Sequence, residues 1–160
     1  QACPTVPWIF LTRDPLEILA SLDASVGIDT MPGTIPPEAL GLHPDAVATL
    51  PRDAYRCHVL AALGRAALAA LGSGGGLVLD YQDLPDALWS RIPEHFGFRP
   101  DPAAVALMRN VARREAKRPG RAFRPDSDAK RAAAAPSRET AERLTADVMA
   151  SLDAARRTGA

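Results

Sequence analysis

Two short apolar runs, far apart in the chain, limit its fold more than any other feature. Val6-Pro7-Trp8-Ile9-Phe10-Leu11-Thr12 is rich in β-forming residues and too short for a helix. Leu77-Val78-Leu79-Asp80-Tyr81 has the same character. Neither alternates apolar with polar residues, so each reads as a strand buried on both faces, the habit of parallel sheets. Between them lies an Ala- and Leu-rich helical stretch, Tyr55 to Leu71. Strands separated by helices imply a parallel sheet with helical crossovers.

The rest of the chain fits that frame. Asp14-Pro15-Leu16-Glu17 carries an N-cap, a proline at the first helical position and an acid three residues after the cap, as in a capping box. The helix it opens is expected to bury Leu16, Ile18, Leu19 and Leu22, with Asp14, Glu17 and Ser21 sharing another face. Residues 26–51 are rich in proline and glycine and read as a long loop with a helical turn at Pro37–Leu40. Gly72 to Gly76 is a connector. Asp83-Leu84-Pro85 starts a helix expected to end at Gly97. Asp101-Pro102 opens another, running to about Ala116. Residues 117–135 form a basic loop, and Ser137 caps a last helix. The expected class is α/β, helix-rich towards its C-terminal part. An isolated pair of strands is marginal, so further strands are expected upstream of Gln1, the 160 residues forming one partial domain.

Composition narrows the function classes. No apolar run approaches the roughly 18–20 residues of a membrane span, and the first residues lack the pattern of a secretory leader. Cys3 and Cys57 are too few for a disulfide framework and lack metal-ligand spacing, so the cytoplasm is the expected compartment and no metal is expected. The chain has no net charge, yet from Arg113 to Arg131 eight Lys/Arg stand against three acids. A local basic segment on a neutral chain suits one small anion better than a nucleic acid. It also suits a solvated helix end and loop.

Ligands of open parallel sheets bind beyond the carboxyl ends of the strands. The first end presents Thr12, Arg13 and Asp14, and the second Asp80, Tyr81, Gln82 and Asp83. A guanidinium at Arg13, between a strand and a helix N-terminus, can grip a phosphate through two parallel hydrogen bonds. Ser21, two turns along the helix, could donate a third. Equally, Arg13 could serve a structural ion pair, Ser21 could fill a helix face, and Tyr81 could pack on a helix.

Thr12-Arg13-Asp14-Pro15, with Ser21-Leu22 eight residues after the arginine, resembles the 3′-phosphate motif of sulfotransferases that use 3′-phosphoadenosine-5′-phosphosulfate. Leu77 to Leu84 is similar to that family's later strand, which ends in Tyr-Glu-Asp-Leu. His95-Phe96-Gly97-Phe98 and Lys117-Arg118-Pro119-Gly120, with Phe123, Asp126 and Lys130, resemble the following helix end and the basic region of bacterial members. The four stretches occur in the family's order and span nearly the whole chain.

The resemblance implies a P-loop-type three-layer α/β/α domain. It implies that Arg13 and Ser21 contact the 3′-phosphate, that Tyr81 lies against or near the adenine, and that Lys117, Arg118 and Arg121 close over the nucleotide. It implies transfer of a sulfuryl group to a small-molecule hydroxyl or amine. That chemistry needs aligned groups, stabilised oxygen charge and a base. The family's phosphosulfate loop and catalytic histidine precede the strand ending at Arg13, so the isolated chain is expected to bind without catalysing. Gly72 to Gly76 is no substitute, because it enters a strand and lacks a following Gly-Lys-Ser/Thr. His43 lies in the long loop, His58 on the Ala/Leu helix, and His95 where it could favour a helix dipole. Two other readings stay open: a non-catalytic helical interaction module, and a relative of the P-loop nucleotide kinases.

Overall fold

A computed structural model describes residues 6–25, 27–115 and 118–159. The chain is mixed α/β and mostly helical. Strands β1 (Trp8–Thr12) and β2 (Gly76–Asp80) pair in parallel, Trp8 opposite Gly76 and Thr12 opposite Asp80. Among the described residues no further strand joins this pair. The expectation of parallel strands joined through helices holds, with α1 (Pro15–Ala24), α2 (Pro44–Val47) and α3 (Arg52–Leu71) between them.

Side-chain alternation places helical structure on both faces of the pair. Trp8, Phe10 and Val78 join a cluster with Ala61 and Ala67 of α3 and with Val148 and Leu152 of α7 (Arg138–Thr158). Ile9, Leu77 and Leu79 face the other way, onto Leu84, Ala87 and Ile92. Helices α3 and α7 meet at Gly64, where a Cβ would come within 2.7 Å of a Val148 methyl. A third cluster joins α1 to both long helices through Leu16, Leu19, Cys57 and Ala141, while Ile18 and Leu22 are only partly buried. Residues of the long loop also pack inward, Leu40 and Val47 against Tyr55 and Val59. The turn at Pro37–Leu40 is a 3-10 helix.

Several expected elements differ. The helix expected from Asp83 to Gly97 is two 3-10 turns, Tyr81–Asp83 and Asp86–Trp89, and a short α4 (Arg91–His95). Asp80 accepts from the Gln82 N–H while Asp83 accepts from the Asp80 N–H, which closes a single turn. Pro85 and Pro93 then bring no N–H to carry a longer helix. The Gly97 end itself is as expected, with φ +71° and the Phe98 N–H on the Pro93 carbonyl.

Helix α5 (Pro102–Ala112) is capped by Asp101 and stops short of Ala116, because Arg114–Glu115 enters β3. The expected basic loop holds regular structure instead: β4 (Arg118–Ala122), antiparallel to β3, and α6 (Ser127–Ala133). Ser137 occupies the N-cap position of α7 as expected, but its side chain makes no capping bond; its hydroxyl donates to Asp53 of α3 instead. That carboxylate also pairs with Arg56, a fully buried arginine that reaches Asp23 at 2.6 Å and so ties α3 to α1.

Candidate functional site

The two parallel strands end side by side, with the Thr12 hydroxyl donating to the Leu79 carbonyl at 3.1 Å. Helix α1 leaves this edge immediately. The Asp14 carboxylate caps it by accepting from the Leu16 N–H at 2.8 Å, as expected. Arg13, held between strand and cap, projects beside Tyr81, the first residue after β2; its guanidinium carbon lies 4.2 Å from the ring centroid.

Glu17 does not complete a capping box. It is 1% exposed and accepts from Arg13 Nε and Nη2, both 2.7 Å from Oε2. Two donors from α6 converge on it as well: Ser127 Oγ at 3.1 Å from Oε2, and Arg131 Nη1 at 2.9 Å from Oε1. A carboxylate this buried needs such partners. Sequence reasoning missed this role, because the third helical position suits a capping acid equally well and the signal, Arg13 four residues earlier, is short and common.

Beyond these groups opens a cleft of about 1190 Å³. Arg13, Ser21, Tyr81 and Arg121 all line it, so four of the six residues expected at a nucleotide site share one cavity. Lys117 and the Arg118 side chain lie outside the described residues. The cleft adds Arg114, Arg124 and Lys130, of which only Lys130 had been noted, as part of the resemblance. The charge surplus of residues 113–131 was the signal for the other two. Five cations and two acids, Glu115 and Asp126, stand around the opening. Leu84, Pro85, Leu88 and Phe123 supply apolar lining, and Phe123 is 49% exposed.

The available donors are specific. The Nε–Nη2 edge of Arg13 is taken by Glu17, so the two-bond grip expected from sequence is confined to the other edge, Nη1 and the second N–H of Nη2. Asp126 Oδ1 lies 3.8 Å from Arg13 Nη2, while its Oδ2 is 2.9 Å from Lys130 Nζ. The Ser21 hydroxyl donates to the Glu17 carbonyl at 2.8 Å, a common arrangement for serine in a helix, and must rotate to donate elsewhere. Arg114, Arg121 and Arg124 form no ion pair among the described residues.

The remaining titratable groups lie apart. His95 Nε2 is 3.1 Å from the Trp8 carbonyl, a bond that docks α4 on β1. His43 Nδ1 accepts from the Asp45 N–H at 3.4 Å. Burial, then the nearby Arg65 and Arg143, lower the affinity of His58 for a proton. Burial pushes the Cys57 thiol up to about 11. Among the described residues no three His, Cys, Asp or Glu side chains gather as a metal site, and no helix is long and apolar enough to cross a membrane. Compared with protein-family models, curated proteins and solved structures, the chain matches none.

Proposed function

We propose that this chain is the nucleotide-gripping part of a cytoplasmic sulfotransferase. In this reading β1 and β2 belong to a P-loop-type three-layer domain that uses 3′-phosphoadenosine-5′-phosphosulfate. Arg13 and Ser21 hold the 3′-phosphate, Tyr81 and the apolar wall at Leu84, Leu88 and Phe123 take the adenine, and the arginines of the β3–β4 region close over the nucleotide. The phosphosulfate loop and the base that would move the sulfuryl group to a hydroxyl or amine lie outside residues 1–160.

One observation carries the reading. Arg13 and Ser21 from the β1–α1 segment, Tyr81 after β2 and Arg121 of β4 line one cleft whose lining combines cations with apolar side chains. A nucleotide has that pairing of charge and flat apolar surface. The test is calorimetry with adenosine 3′,5′-bisphosphate and adenosine 5′-monophosphate on the chain and on Arg13→Ala. Preference for the bisphosphate, with a loss of roughly 1.5–3 kcal/mol in the variant, supports it. Equal affinity of the chain and the variant for the bisphosphate overturns it.

The helical-module reading draws on a different observation. The best-placed polar atoms of Arg13 and Ser21 already have partners within the chain. On that reading the Arg13–Glu17–Arg131 group is a brace, and the same titration gives no binding.

A further inference from the structure

We propose that Glu17 is a positioning residue for the anion site, aiming Arg13 into the cleft and fastening beside it the helix that contributes Lys130 to the cleft. The inference rests on the nucleotide reading above. Glu17 is almost fully buried and does not line the cleft, so it would not touch a ligand there. Its contacts divide between two distant parts of the chain: Arg13 four residues away, and Ser127 and Arg131 at separations of 110 and 114 residues. One carboxylate thus joins the end of β1 to α6, and the α6 segment presents Asp126 and Lys130 to the cleft.

The geometry restrains Arg13 in two directions. Glu17 holds the Nε–Nη2 edge, and Tyr81 lies under the guanidinium face. An arginine held on edge and face has little freedom left to lose when an anion arrives, which is how pre-organisation raises affinity. Glu17 divides its two oxygens between two guanidiniums, Arg13 on Oε2 and Arg131 on Oε1, and Arg131 also meets Asp14 and Asp128. The tie between Glu17 and the cleft runs through Arg13 and α6, so aim is the function assigned to it alongside the stability that its buried bonds carry.

The experiment is a double-mutant cycle read by calorimetry with adenosine 3′,5′-bisphosphate, using Glu17→Gln, Arg13→Ala and the pair in the full chain. Glu17→Gln is expected to weaken binding about fivefold or more when Arg13 is present, and by less than about twofold in the Arg13→Ala background. Equal losses in the two backgrounds mean general damage to the cleft and overturn the proposal, as does no loss in either. If Glu17→Gln lacks a cooperative melting transition, Glu17→Asp replaces it; this keeps the charge but withdraws the carboxylate by one methylene, and the same pattern is required. If Arg13→Ala binds like the unaltered chain, the nucleotide reading fails and this one with it. If Arg13→Ala binds poorly and Glu17→Gln does not, the positioning role alone fails.

Discussion

The guanidinium of Arg13 stacks on the ring of Tyr81, with 4.2 Å from its carbon to the ring centroid. The two residues follow paired positions, Thr12 and Asp80, at the ends of parallel strands. The parallel register therefore brings a cation and an aromatic face together at the sheet edge where ligands of such folds bind.

If that contact prepares Arg13 for an anion, the ring matters and the phenol hydroxyl does not. Tyr81→Leu is expected to weaken adenosine 3′,5′-bisphosphate binding by about 0.5–1 kcal/mol, the usual worth of a cation over an aromatic face at an exposed site. Tyr81→Phe should bind like the unaltered chain. Calorimetry on the two variants checks this, and a loss with Tyr81→Phe equal to that with Tyr81→Leu would disprove it.

Away from the cleft, the contact between α3 and α7 sets a packing limit. At Gly64 a new Cβ would meet Val148 Cγ2 at 2.7 Å and Leu152 Cδ1 at 3.1 Å, so α3 and α7 approach closely only because that side chain is missing. Gly64→Val is expected to cost about 1–3 kcal/mol through overpacking, read as a lower urea midpoint with nucleotide affinity at 25 °C unchanged. The gain in helix propensity from replacing a mid-helix glycine is smaller, so a rise in midpoint would show that the helices can move apart freely.

What was legible in the sequence is what local chemistry decides. The strands at Trp8 and Leu77 announced themselves as apolar runs, and Asp14 as a cap, because strand burial and capping depend on residues a few positions apart. Arg13 and Tyr81 followed as strand-end residues. Glu17 was misread as a capping acid because its deciding partner, Arg131, lies 114 residues away. The β3–β4 pair was missed because Arg114-Glu115 and Arg118 to Ala122 carry no apolar alternation. Their pairing comes from chain reversal and backbone hydrogen bonds, including the Phe123 N–H on the Arg113 carbonyl. The helix expected across Asp83 to Gly97 is broken into short turns around Pro85 and Pro93, whose missing N–H groups outweigh a strong start and stop signal.

Cys57 gives a prediction in pH. The thiol has no accessible surface, and burial, reinforced by the Asp53 carboxylate, lifts it from an ordinary 9.0 to about 11. A group whose folded value is raised holds its proton longer in the fold than in the unfolded chain. Its contribution is therefore complete below about pH 9 and is lost as pH rises towards 11. Unfolding by urea from pH 8 to 10.5 should show a steeper decline for the unaltered chain than for Cys57→Ala. In a Cys3→Ser background, a thiol reagent should modify Cys57 only as fast as the chain unfolds. Rapid labelling of the folded protein would contradict the assigned burial.

Asp126 yields a prediction opposite in sign to every other change at the cleft. Its carboxylate is 57% exposed and stands between two cations, Oδ2 2.9 Å from Lys130 Nζ and Oδ1 3.8 Å from Arg13 Nη2. An incoming phosphate would seek the same two partners. Asp126 then competes with the ligand, and removing its charge should help binding where removing Arg13 or Lys130 should hurt it. Asp126→Asn is expected to raise affinity for adenosine 3′,5′-bisphosphate by about 0.5–1 kcal/mol, the scale of an exposed charge pair. The gain should shrink as salt is raised from 50 to 500 mM, because exposed charges are screened. Lys130→Ala should weaken binding and abolish most of the benefit of Asp126→Asn when the two are combined, since each acts through the same anion seat. Weaker binding by Asp126→Asn would instead mark the carboxylate as a support for Lys130, and would place the ligand's charge elsewhere along the cleft, towards Arg114, Arg121 and Arg124.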